Sequence, residues 1–174
     1  MKSIDKIFSL KNRVIIITGA AGLLGQEHAN SVAMAEGIPI LIDINKEKVD
    51  SLAKELNKKY CVDAIGYKVN ITNEKEIIKN YKKIIARHKK IDGLVNNAAN
   101  NPKIEEDSKK NFSRLENFPQ NLWNEDISVG LTGTYLCLKH YGYQISKNSD
   151  GGSIVNISSD LGLIAPDQRL YLKS

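Results

Sequence analysis

Residues 14–25 run Val14-Ile-Ile-Ile-Thr18-Gly-Ala-Ala-Gly22-Leu-Leu-Gly25, an apolar β-branched stretch that empties into a turn carrying three glycines. Without polar alternation, Val14 to Ile17 predicts a strand buried on both faces, the situation of a strand inside a parallel sheet. The glycines let the backbone reverse tightly, let a ligand approach the amides, and let the following helix pack closely on the strand. The N-terminus of that helix offers unpaired N–H groups and a positive dipole end, which suits phosphate. Taken alone, the turn is equally compatible with a tight strand-to-helix corner.

Outward from this point, short β-branched runs alternate with charged segments of helical period. Gly37 is expected to close the first helix, and Ile38 to Asp43 to form the next strand, with Pro39 near its start where no ladder donor is needed. In Lys46 to Lys59, Val49, Leu52, Ala53 and Leu56 fall at i, i+3, i+4 and i+7, a stripe that faces a sheet and leaves the lysines in water. Ala64 to Val69 predicts a strand. Glu74 to His88 predicts a helix with Ile77, Ile78, Tyr81, Ile84 and Ile85 inward, and Ile91 to Val95 a fourth strand. Asn100 to Gln120 is polar and aperiodic, the pattern of a long surface loop of the kind that borders binding sites. Leu122 to Ile145 is expected to be mostly helical, and Ser153 to Ile157 a fifth strand. Strands joined by helices require right-handed crossovers, so the fold class is α/β, a doubly wound parallel sheet in one domain over 1–174.

Composition narrows the function. The longest apolar run is interrupted by Thr18, Gly19 and Gly22, well short of the roughly 20 residues a bilayer requires. The N-terminus lacks the apolar core of an export signal, which predicts a cytoplasmic protein. Cys61 and Cys137 match no metal-ligand spacing and are expected to be buried and reduced; no metal site is expected. The net charge of +5 comes from lysines spread over helix faces without interleaved aromatics, which argues against nucleic acid.

Asp43 closes the second strand a little over 20 residues after Gly19, where a carboxylate can accept hydrogen bonds from ribose hydroxyls and repel a 2′-phosphate. It could also merely open the turn before Lys46. Asn96-Asn97-Ala98-Ala99 follows the fourth strand, and Gly152-Ser-Ile-Val-Asn-Ile-Ser158-Ser159-Asp-Leu-Gly162 spans the fifth strand and its exit. With Thr18 to Gly25, these motifs, in this order, closely resemble the short-chain dehydrogenase/reductase family along essentially the whole chain.

The resemblance implies a Rossmann NAD(P)-binding fold, NAD(H) more than NADP(H), and hydride exchange with a small alcohol or ketone. It makes Thr18, Gly19, Gly22, Leu24 and Gly25 the pyrophosphate turn and Asp43 the ribose ligand. Asn70 and Ile71 resemble the pair beside adenine, Asn97 and Ala98 the residues lining the cofactor, and Ser159 the catalytic serine, with Ser158 structural. A tyrosine and a lysine four residues later should follow the serine. Tyr171 lies 12 residues after Ser159, but Lys173 is two positions on, so the pair is not present in the sequence. The expectation is a C-terminally incomplete domain that is inactive and aggregation-prone alone. Ala165-Pro-Asp-Gln-Arg-Leu-Tyr171 resembles a longer loop of a subgroup tied to surface-sugar or flagellin modification, which would make Tyr171 a decoy.

Two departures keep other readings open. The Thr-Gly-x-x-Gly-x-x-Gly spacing is commoner among sugar-nucleotide epimerases and dehydratases, and Gly130 stands where the family's proton-relay asparagine is expected, with Asn124 as a candidate substitute. A non-catalytic nucleotide-binding module is the other alternative. The family's usual interface helix corresponds to Leu122 to Ile145, which implies a homodimer or tetramer.

Overall fold

The computed structural model describes residues 7–100, 115–164 and Asp167. Five parallel strands form one sheet, β1 (Val14–Thr18), β2 (Ile38–Asp43), β3 (Ile65–Lys68), β4 (Gly93–Asn96) and β5 (Ser153–Asn156), in the order β3-β2-β1-β4-β5. Helices α1 (Leu23–Met34), α2 (Lys46–Tyr60) and α3 (Glu74–His88) connect the first four strands. α4 covers residues 120–145 and is not a uniform helix: α-helical Gln120–Ile127, Thr134–Cys137 and Tyr143–Ile145 are separated by π-helical Ser128–Gly133 and Leu138–Gly142.

The central position of β1 explains its lack of alternation, because all five of its residues are buried. Val14 and Ile16 join Ile40, Ile42, Leu94, Ile77 and Ile84 on one face. On the other, Ile15 and Ile17 meet Leu41, Val49, Leu52 and Leu56. Each fully buried isoleucine contributes about 1.5–3 kcal/mol, so the run that looked featureless in sequence supplies both cores. β5 lies at the sheet edge and is exposed at every position, including Ile154 at 40% and Val155 at 49%.

Several local expectations are corrected. α1 ends at Met34, and Glu36, not Gly37, takes the left-handed conformation at φ 65°; the Gly37 N–H then donates to Val32 O at 2.9 Å. Cys61 is exposed, because it caps the end of α2 with φ 55°; Cys137 is buried, and burial pushes its thiol up to about 12. α4 begins two residues earlier than its apolar period suggested, after Pro119. Residues 101–114 and Tyr171 lie outside the described residues, and within the expected long loop Leu115–Asn117 forms one 3₁₀ turn.

On α3 the inward face is Ile77, Asn80 and Ile84, with Ile78, Tyr81 and Ile85 partly buried. Asn80 was hidden from a hydrophobic count. It is 3% exposed, and its Oδ1 accepts from the fully buried Tyr141 hydroxyl of α4 at 2.8 Å. Desolvation holds that phenol well above its ordinary range, so it stays protonated and donating. Tyr141→Phe should therefore lower stability by about 1–3 kcal/mol, since it strands a buried acceptor; a urea melt with unchanged slope is the check.

Candidate active site

In a doubly wound sheet the crevice lies outside the carboxyl ends of the strands where strand order reverses. Here β1 is that point, since β2 and β4 flank it and their helices lie on opposite faces. The loops leaving the strands thus present, from one sheet edge to the other, Asn70, Asp43, the Gly19–Gly25 turn, Asn97 with Ala98, and Ser159. At about 4.8 Å between neighbouring strands, the row is about 19 Å long.

The turn is built with no room for side chains. Gly19 has φ 64°, and a Cβ there would lie 2.8 Å from Ala98 Cα. A Cβ on Gly25 would lie 2.2 Å from Gly19 O, and one on Gly22 would lie 3.3 Å from the same oxygen. Gly22 is the N-cap of α1 and provides no side-chain cap, and the first turn of α1 carries no acidic residue. By contrast, Asn45 and Asn73 cap α2 and α3 by accepting from Lys48 N and Lys75 N, and both helices have acidic first turns. The α1 amides are the ones left for an external anion. Leu24 is 56% exposed beside them.

Thr18 works as a hub between β1 and β4. It is 1% exposed; its hydroxyl accepts from Asn97 N and Ala98 N, both at 3.1 Å, and donates to Val95 O at 3.4 Å. The Asn97 amide donates back to Thr18 O at 3.0 Å and Gly19 O at 3.2 Å. The exits of β1 and β4 are therefore locked together, and the crevice has a rigid floor. Two neighbouring asparagines, which sequence reading gave no role, extend the stitching: Asn96 Nδ2 donates to Asn156 Oδ1 at 2.8 Å, and Asn100 Nδ2 to Asp126 Oδ1 at 3.0 Å. Three asparagines among five residues was the available signal.

Asp43 accepts from Ala21 N at 3.0 Å and from Asn45 N at 2.9 Å through different oxygens, so it bridges the glycine turn to the start of α2. Each oxygen keeps a lone pair for a further donor. Asn70 is exposed; its Oδ1 accepts from Thr72 N and Thr72 Oγ1, and its N–H donates to Glu76 Oε2 at 2.8 Å. Ile71 is 6% exposed and its side chain packs in the core against Gly133, so it presents backbone to the crevice. Ser159 caps the turn Asp160–Gly162, accepting from Leu161 N at 3.2 Å and donating to Asp160 Oδ1 at 3.1 Å.

Gly130 lies on the π-helical segment, and a Cβ there would meet nothing within 4 Å. Space for a side chain exists where the sequence supplies none. Asn124, six residues earlier, lies about 120–130° around the helix from Gly130 at about 3.6–4.4 residues per turn. Asp126, four residues earlier, shares Gly130's side of the helix.

A model of the family described as short chain dehydrogenase matches residues 13–171. The sorbose reductase SOU1 of Candida albicans is 32% identical over 91% of this chain and 53% of its own length. The post-translational flagellin modification protein A of Campylobacter coli is 26% identical over 93% of this chain and 61% of its own. Among solved structures, an NAD+-bound xylitol dehydrogenase superposes with a TM-score of 0.80 at 24% identity, covering 90% of this chain and 56% of that one. The chain spans a little over half the length of these relatives.

Proposed function

The chain belongs to the short-chain dehydrogenase family, and we propose that it binds NAD(H) along the carboxyl edge of its sheet and serves hydride exchange with a secondary alcohol or ketone of a sugar derivative. The observation that carries this reading is the uncapped, side-chain-free turn at Gly19, Gly22 and Gly25, flanked by the Asp43 carboxylate on one side and the Asn97–Ala98 floor on the other. Such a cradle fits a dinucleotide, because any Cβ at Gly19 or Gly25 would fill the space that backbone needs to approach a pyrophosphate.

The α1 amides hold the pyrophosphate, and the positive end of the helix dipole offsets its charge. Asp43 takes the adenosine ribose hydroxyls with the lone pairs left over from Ala21 and Asn45. It opposes a 2′-phosphate at the same place by like-charge repulsion, which favours NAD(H) over NADP(H). Asn70 and the Ile71 backbone stand beside the adenine end, and Ala98 lines the opposite end. The bound nicotinamide supplies or accepts the hydride. Ser159, at the exit of β5, is the group placed to hydrogen-bond the substrate oxygen. The polyhydroxylated substrate class rests on the named activities of the similar sugar and polyol enzymes.

The test is a fluorescence titration with NADH and NADPH. NADH should saturate, with NADPH at least about tenfold weaker, a gap of about 1.4 kcal/mol. Asp43→Ser should narrow or reverse that gap while leaving the fold intact by circular dichroism. Absence of binding to either nucleotide overturns the proposal, and an unchanged preference in Asp43→Ser removes Asp43 from it.

A further inference from the structure

β4 ends at Asn96, so residues 97–100 run past the crevice floor outside the sheet ladder. We infer that Asp126 of α4 is a positioning residue for the dinucleotide: acting through Asn100, it fixes this segment against the glycine turn. The inference rests on the reading of the crevice as a nucleotide site.

Asp126 is a charge on the wrong face of its own helix. Leu122, Asp126, Val129 and Gly133 fall at i, i+4, i+7 and i+11, the stripe that turns α4 toward the sheet. Gly133 is buried, Val129 packs on the core, and Leu122 and Asp126 are half-buried. A carboxylate on such a stripe loses solvation and needs a partner to offset that loss. Asn100 is the partner, its Nδ2 donating to Asp126 Oδ1 at 3.0 Å across 26 residues of sequence. Nothing else on that side of α4 can take over the contact. Gly130, one turn on, has no side chain, and a Cβ there would meet nothing within 4 Å.

At its other end the segment meets the glycine turn. Asn97 N and Ala98 N donate to Thr18 Oγ1, both at 3.1 Å. Ala98 lies so close to Gly19 that a Cβ on the glycine would stand 2.8 Å from Ala98 Cα and 3.1 Å from its nitrogen. From Ala98 to Asn100 is two residues, at most about 7 Å of chain. A shift at Asn100 therefore reaches Ala98 before the chain can absorb it, and Ala98 then moves against the Gly19 backbone that borders the pyrophosphate. Thr18 and Asp126 together hold the segment from both sides; released from Asp126, it is held from one. Binding groups must stay within about 0.5 Å of the productive geometry, and contacts of this supporting kind keep them there.

Hydrogen exchange in the nucleotide-free chain reads the clasp directly. Asp126→Ala should speed exchange of the Asn97 and Ala98 amides about tenfold, while the Ile16 and Leu41 amides in the central strands keep their parental rates. Asp126→Asn retains a side-chain oxygen that can accept from Asn100, so it should restore slow exchange. NADH titration reads the consequence. Asp126→Ala and Asn100→Ala should each weaken binding about tenfold, the double variant no more than either single one, and Asp126→Asn should recover the parental affinity within about twofold. A parent that binds no NADH refutes the dinucleotide reading, and exchange alone then decides the clasp. Parental exchange in Asp126→Ala, equal acceleration in the central strands, additive losses in the double variant, failed rescue by Asp126→Asn, or parental NADH affinity in both alanine variants would each overturn the inference.

Discussion

Gly25→Ala should weaken NADH binding by at least about a hundredfold, equivalent to about 2.8 kcal/mol, and lower stability as well. The new Cβ would lie 2.2 Å from Gly19 O and 2.8 Å from Ala20 Cα. Both are backbone atoms, so no side chain can rotate out of the way. Relief requires α1 to move off β1, which costs about 1–3 kcal/mol in overpacking and drags the uncapped amides away from the pyrophosphate. Gly130→Ala is the matched control. Its Cβ meets nothing within 4 Å, so it should leave NADH binding unchanged and stabilise the helix by about 0.5–1 kcal/mol. A titration of both variants decides the matter: parental NADH affinity in Gly25→Ala would refute the assignment of the turn.

Asp92→Ala should be the most destabilising single change away from the crevice. Asp92 is 5% exposed at the base of β4, and its carboxylate accepts from Val14 N at 2.8 Å, Arg13 at 2.9 Å and Lys90 at 3.1 Å. Its own backbone donates to Val14 O and accepts from Ser153 N, so one residue ties β1, β4 and β5 at their lower ends. Truncation leaves the Val14 N–H buried and unpaired; the two cations, 39% and 42% exposed, recover part of their loss in water. The sum is about 3 kcal/mol, or a melting temperature about 6–12 °C lower.

The same carboxylate gives a pH signature. Burial pushes its pKa up, but the Val14 amide, Arg13 and Lys90 together outweigh that and hold it below the ordinary aspartate value of 3.8. Because the folded pKa is the lower one, the stabilisation is fully present above 3.8 and is lost as the pH falls through the folded value. Denaturant melts of the parent should therefore lose stability on acidification below pH 3.8, and Asp92→Asn should flatten that slope. An identical acid slope in Asp92→Asn would show that the cluster does not contribute.

Reading the sequence established the alternation of strands and helices, the parallel sheet and the glycine turn, because each is written in local chemistry. Val14 to Ile17 has no polar face to expose, α2 and α3 have stripes at helical period, and three glycines after a strand mark a tight strand-to-helix turn. Asp43 ends β2, and Asn97 and Ser159 follow β4 and β5, so the parallel sheet delivers all three to one edge, while the roles expected of Asn97 and Ser159 rest on the family resemblance.

What tertiary structure decided is what those residues do with neighbours 20 to 80 positions away. Only the folded chain shows that Thr18 and Asn97 brace the crevice, and that Asp43 already holds Ala21 and Asn45. It also turns the Ile71 side chain into the core. Asn80, a polar residue on a face predicted from apolar ones, and Asp92, a charge inside a predicted strand, were invisible for one reason. A buried polar group is tolerated only where a partner meets it, and the partners Tyr141, Val14 and Arg13 come from other elements. Local sequence determines which segments form strands and helices; long-range hydrogen bonding determines which of their polar residues hold the fold and which remain free for a ligand.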